Sequence, residues 1–320
     1  MSASATFSRM PRTIHPSSSR CASRNRRAAT RASASSSVES ASHVTEDEIR
    51  LEVLTQRASA SVASKPPVVF VHGSYHAAWC WSEHFFEYFT ERGHDCHAIS
   101  MRGQGGSDMP PDPDAKVSGS ILTHGNDVSS FIKSLPTPPV LVGHSFGGLI
   151  AQAVLSVNKT ELAGLALLAS VPPEGNGPMV QRFLKRDFWA SMRITVAFIF
   201  ATFKANATTC RECFFSDDLP ERELRKHMGQ IAGSCNVRLL DLNAMNASLP
   251  IPKPPSGASV FVLGGEDDFV VDVQGVQETA QWGSTTPVIL KNTAHDVMLD
   301  TRWEKVAEEL GGWMERLGKQ

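Results

Sequence analysis

Acidic residues are missing from the first 38 positions of this 320-residue chain, although the whole carries 33 of them against 31 Lys and Arg. The same stretch holds seven arginines and is rich in Ser and Ala, as in Ser17-Ser18-Ser19 and Ala32-Ser33-Ala34-Ser35-Ser36-Ser37. It lacks an apolar run of seven residues, which excludes the hydrophobic segment of a secretory signal. Arg-rich, Ser-rich and acid-free composition marks an organellar transit peptide. Residues 1–40 are therefore expected to be a disordered leader, cleaved between positions 30 and 45. Its serine content points to the chloroplast, with the mitochondrion as the alternative.

Other absences narrow the function. No stretch reaches 18 uninterrupted apolar residues, so no transmembrane helix is predicted. The nearest approach, Ile194-Thr195-Val196-Ala197-Phe198-Ile199-Phe200-Ala201, is too short. The net charge is −2 with no basic excess in the body of the chain, and nothing indicates a nucleic-acid partner. There are six cysteines, Cys21 among them in the expected leader. Cys210-Arg211-Glu212-Cys213 is a C-x-x-C, but the second ligand pair of a zinc site is missing. We read it as two cysteines packed in a cap, with a regulatory disulfide as the alternative. No metal or cofactor is expected.

What is present is an alternation of strands and helices. Strands are expected at 48–56, 68–71, 95–100, 139–142, 165–169, 259–263 and 286–290. Helices are expected near 78–91, 120–134, 149–155, 272–282 and 301–317. The proline-rich stretch 108–114 must be a loop. Such alternation argues for a mainly parallel sheet covered on both faces, with functional groups at the carboxyl ends of strands.

One strand-to-helix junction carries chemistry. Gly143-His144-Ser145-Phe146-Gly147 fits G-x-S-x-G, with the apolar Pro139-Val140-Leu141-Val142 before it and a helix-like segment after it. This is the setting of a nucleophile elbow, in which a strained serine is lifted clear of the sheet beside a helix N-terminus. Upstream, Val68-Val69-Phe70-Val71 ends in His72-Gly73-Ser74-Tyr75. Downstream, Val260-Phe261-Val262-Leu263 ends in Gly264-Gly265-Glu266-Asp267-Asp268. Last, Pro287-Val288-Ile289-Leu290 is followed by Asn292-Thr293-Ala294-His295-Asp296.

These four motifs, in this order, resemble the α/β-hydrolase fold superfamily, serine-hydrolase type, over roughly residues 50–317. Ala78-Trp79-Cys80-Trp81 resembles plant-type esterases and hydroxynitrile lyases of that fold. The resemblance implies Ser145 as nucleophile, His295 as base and Asp268 as the acid that orients it, with Asp267 as the alternative acid. It implies backbone N–H groups of Ser74 and Phe146 as the oxyanion hole, supported by His72, Gly73 and His144. Asp296 is read as a surface or loop-anchoring acid. His43, His84, His94, His97, His124 and His227 are read as surface or locally bonded. In Arg102-Gly103-Gln104-Gly105-Gly106-Ser107, Arg102 and Ser107 are expected to bond loop backbone.

Residues 172–255 interrupt the alternation where hydrolases of this fold carry a lid, giving a core of 48–171 and 256–320. The lid is read as helical, in pieces around 183–203, 219–228 and 237–245. Its aromatic stretch implies packing on the core, an apolar acyl pocket, or peripheral contact with a lipid surface. The expected activity is hydrolysis of a hydrophobic carboxylic ester through an acyl-enzyme. The alternatives are a hydroxynitrile lyase, a cofactor-free oxygenase on the same scaffold, and a small-molecule receptor. Haloalkane dehalogenases and epoxide hydrolases of this fold carry an aspartate where this chain has Ser145, which argues against both reactions.

Overall fold

The computed structural model describes residues 37–59, 65–112, 114–235 and 237–317. Most of the expected leader lies outside them. Among the described residues there are ten strands: β1 (Glu39–Val44), β2 (Arg50–Gln56), β3 (Val68–Val71), β4 (Cys96–Ile99), β5 (Val117–Gly119), β6 (Val140–His144), β7 (Gly164–Leu168), β8 (Arg238–Leu240), β9 (Val260–Gly265) and β10 (Val288–Leu290). Eight of them form one sheet in the order β1-β2-β4-β3-β6-β7-β9-β10. From β4 to β10 every pairing is parallel, and β1 and β2 add an antiparallel edge. The chain is an α/β-hydrolase fold: a mainly parallel sheet flanked by helices.

Period-2 geometry gives each central strand two buried faces. Val68 and Phe70 of β3 point to one side, where they pack with Trp81, Phe85, Phe86 and Phe89 and with Val306, Ala307 and Leu310 of the last helix. Val69 and Val71 point to the other, against Leu149, Ile150 and Val154. Local signals set the helix ends. Ser120 accepts from Thr123 N to start the helix Ile121–Lys133, and Asp272 accepts from Gly275 N to start Val273–Trp282.

The structure bears on three expectations. β1 begins at Glu39, inside the interval where leader cleavage is expected, so a cut much beyond that point would remove residues of the edge strand. Its short, polar sequence carries little strand signal. The lid is not wholly helical, because β8 pairs in parallel with β5 from the core. The guanidinium of Arg102 bonds carboxylates rather than loop backbone: Asp127 at 2.6 and 2.7 Å and Asp47 at 2.6 and 2.8 Å. Ser107, as expected, bonds backbone, donating to Ser100 O.

The lid helices are Gly177–Arg186, Phe188–Phe200, Ala207–Phe214, Glu221–Ser234 and Leu242–Ala247. Asp187 separates the first two, its carboxylate capping the second through Ala190 N. Side chains tie the lid to the core. Arg182 bridges to Asp272 and Glu278, Trp79 Nε1 donates to Ser234 Oγ at 2.6 Å, and Tyr75 Oη donates to Phe198 O at 3.0 Å. Cys210 and Cys213 are buried free thiols, pushed up to about 12 by burial, which keeps them protonated and unreactive.

Candidate active site

Ser145 stands between β6 and the helix Phe146–Ser156 at φ 54° and ψ −124°. A side-chain-bearing residue rarely adopts that conformation, and it persists only where the surroundings enforce it. Here Ser145 N donates to Leu168 O at 3.2 Å, while Ser145 O accepts from Gly148 N at 3.0 Å and Val171 N at 3.1 Å. The bend needs its glycines. A Cβ on Gly147 would lie 2.3 Å from His72 O, and one on Gly143 would lie 2.6 Å from Gly147 O. Only bare backbone allows strand and helix to approach this closely.

Asp268 and His295 come from the loops that follow β9 and β10. His295 Nδ1 lies 2.8 Å from Asp268 Oδ2. The other carboxylate oxygen accepts from Val270 N at 2.6 Å and Val271 N at 2.9 Å. An ionised carboxylate only accepts, so Nδ1 carries the hydrogen and Nε2 is left as the basic nitrogen. Asp267 is exposed, whereas Asp268 is buried against the imidazole. Ser145 and His295 line one cavity together with Ser74 and Phe146, so the structure brings the expected constellation to one place. Phe146 is the first residue of its helix, where an amide has no intrahelical acceptor and faces the positive end of the dipole.

The supporting histidines have defined roles. His72 Nε2 accepts from Met101 N at 3.0 Å, so Nδ1 carries the hydrogen and donates to Gly73 O at 2.7 Å. Burial pushes this imidazole down to about 3. His144 Nε2 donates to His295 O at 3.0 Å, and burial beside the His295 ring holds it at about 3. Both are neutral braces at neutral pH, one on the loop after β3 and one on the loop of the base.

One further residue, His76, was not expected, and Asp296 takes the loop-anchoring rather than the surface role. Asp296 is fully buried, not at the surface, and lies 2.8 Å from His76 Nε2. Both His76 nitrogens face acceptors, because Nδ1 lies 2.9 Å from Ser74 O. Burial opposes a charge on either group, yet their mutual attraction prevails, raising the His76 pKa and lowering that of Asp296. The result is a buried ion pair that links the Ser74 peptide to the residue after His295. His76 follows His72 by four positions, the one sequence signal that could have drawn attention to it. His124 is also buried, with Nε2 2.8 Å from Leu239 O in the lid, a distant partner rather than a surface one.

The cavity encloses about 340 Å³. Phe183, Ile194, Phe198, Phe214 and Phe269 make most of its wall apolar. Among the described residues one group has metal-ligand spacing, His144, His295 and Asp296, with donor atoms within 4.8 Å of one another. His144 Nε2, His295 Nδ1 and Asp296 Oδ2 are engaged in the bonds above, while the buried His144 Nδ1 and Asp296 Oδ1 have no hydrogen-bond partner. A cation there would also meet the charge on His76.

The model of the alpha/beta hydrolase family matches residues 68–309, and the chain belongs to that family. Similar proteins include Methylesterase 10 of Arabidopsis thaliana, 32% identical over 123 residues, covering 37% of this chain and 43% of that one. Protein phosphatase methylesterase 1 of Mus musculus is 28% identical over 115 residues, covering 36% and 30% respectively. The chain thus matches less than half the length of each of these curated relatives. Among solved structures, an esterase from Exiguobacterium antarcticum superposes with a TM-score of 0.62 at 18% identity, covering 87% of this chain and all of that one. Epoxide Hydrolase A of Mycobacterium thermoresistibile superposes at 0.64, also at 18% identity, over 88% and 99%. Likeness at this level shows the fold and leaves the reaction open. The methylesterases and esterases among the relatives are consistent with ester hydrolysis.

Proposed function

We propose that this chain is a serine hydrolase that cleaves a carboxylic ester of a hydrophobic substrate. The observation that carries this reading is the buried Asp268–His295 hydrogen bond, opening on the same apolar cavity as the strained Ser145. In the proposed cycle His295 Nε2 takes the Ser145 hydroxyl proton as Oγ attacks the ester carbonyl. The oxyanion forms against the amides of Ser74 and Phe146, each contributing about 3 kcal/mol in the transition state. The C–O bond then breaks, His295 returns the proton to the departing alcohol, and the acyl group remains on Ser145. Water, activated by the same nitrogen, attacks the acyl-enzyme and releases the acid. Asp268 holds the tautomer and stabilises the imidazolium throughout. The Arg-rich, acid-free first 38 residues support delivery to the chloroplast, which organelle fractionation of the full chain tests directly.

A p-nitrophenyl ester series from acetyl to palmitoyl tests the activity. The wild-type protein should turn over a mid-length ester best, because the cavity is apolar but limited in volume, and Ser145→Ala should turn over none. Equal turnover by both proteins, or none by either, would count against the proposal.

A further inference from the structure

We infer that the outer face of the lid helix Phe188–Phe200 is a docking surface for an anionic lipid bilayer. A helix that is apolar all round belongs in a core or in lipid. This one has a single charged residue, Arg193, in 13, and it is not in the core. Its inner face lines the cavity through Ile194 and Phe198. Its outer face leaves Phe188, Trp189, Met192, Val196, Ile199 and Phe200 exposed, with Trp189 at 79% and Phe200 at 71%. These positions fall on neighbouring turns of a helix about 20 Å long. Ile199 is 56% exposed and also lines the cavity, so this residue joins the outer face to the site.

Charge selects the occupant. Residues 177–204 carry Arg182, Lys185, Arg186, Arg193 and Lys204 against the single acid Asp187, which is spent on capping its own helix. Arg182 and Arg193 are paired with carboxylates. Among the described residues, Lys185 and the cavity-lining residues Arg186 and Arg238 have no carboxylate within 4.0 Å. An apolar face with Lys185 and Arg186 just ahead of its helix fits a bilayer with anionic headgroups, seated about 5–10 Å into the acyl boundary. A hydrophobic substrate could then pass from the bilayer into the cavity without crossing water.

The test uses the full chain and reads Trp189 itself. The arginine-rich first 36 residues could hold the chain to anionic vesicles by charge alone, but they contain no tryptophan. Vesicles of phosphatidylcholine with phosphatidylglycerol, with and without brominated acyl chains, should show bromine quenching of wild-type fluorescence. That quenching should disappear in Trp189→Phe while the protein still pellets with the vesicles. Phe188→Ser/Phe200→Ser should weaken the quenching-detected partitioning roughly tenfold or more. Neither residue lines the cavity, so turnover of soluble p-nitrophenyl butyrate should be kept. Lys185→Glu, a milder second variant, should weaken the quenching by anionic brominated vesicles and leave that by pure brominated phosphatidylcholine unchanged.

The inference is overturned if no quenching depends on Trp189. It is also overturned if the double variant leaves the bromine quenching intact and instead turns a dimer into a monomer, which would make this face a self-association surface. Ser145→Ala should be quenched like the wild type, so the loss of the esterase reading and the loss of this one are separable results.

Discussion

Asp268→Asn lowers kcat on a p-nitrophenyl ester by about 10⁴-fold. The reason lies in one hydrogen bond. Asp268 Oδ2 now accepts from His295 Nδ1 at 2.8 Å while Oδ1 is held by two backbone amides. An amide in that place keeps its oxygen on the Val270 and Val271 amides and turns its NH₂ toward Nδ1. The imidazole must then accept there and carry its hydrogen on Nε2, where it can no longer take the Ser145 proton. The neighbouring Asp267→Asn, at an exposed carboxylate, should stay within about twofold of wild type. Steady-state kinetics on both variants check the assignment, and an Asp268→Asn loss below about tenfold, or the larger loss at Asp267, would contradict it.

Asp296→Ala costs about 3–5 kcal/mol of folding stability, because it strands a buried imidazolium. His76 is enclosed, with Asp296 Oδ2 at 2.8 Å and Ser74 O at 2.9 Å as its partners. Removing the carboxylate forces His76 either to stay charged without a counter-ion or to give up a proton and one of these bonds. Replacing both residues separates the value of the pair from the penalty of breaking it. His76→Leu/Asp296→Leu should recover most of the loss, since a desolvated ion pair is roughly matched by apolar side chains of similar volume. Urea unfolding of the three variants provides the measurement. A single-variant loss below about 1 kcal/mol would show that the pair is not charged. Because Ser74 O also belongs to this network, Asp296→Ala should lower kcat more than it changes KM.

The parts of this site legible in the sequence share one property: each lies directly after an apolar strand. Ser145, Asp268 and His295 follow β6, β9 and β10, and strand ends are where this class of sheet gathers its chemistry. The exposed Asp267 and buried Asp268 are adjacent, and only the turn after β9 decides which one faces the imidazole. The pairing of Asp296 escaped for a different reason. Its partner His76 is 220 positions away, and no local pattern encodes a pair made by two loops meeting. The small β5–β8 pairing was hidden in the same way, since three residues of Arg238–Leu240 find their partner across more than a hundred positions. β1 was hidden because Glu39-Ser40-Ala41-Ser42 is polar and lies exposed at the sheet edge, where burial writes no alternation into the sequence.

The most direct test of the central claim is covalent capture of the nucleophile. The protein is incubated with a fluorophosphonate, digested, and the modified peptide is sequenced by mass spectrometry. The account predicts one phosphonyl group per chain, bonded to Ser145 Oγ with loss of fluoride, and no label in Ser145→Ala. Ester turnover by the wild-type protein with Ser145 unlabelled, or with the label on another residue, would contradict it.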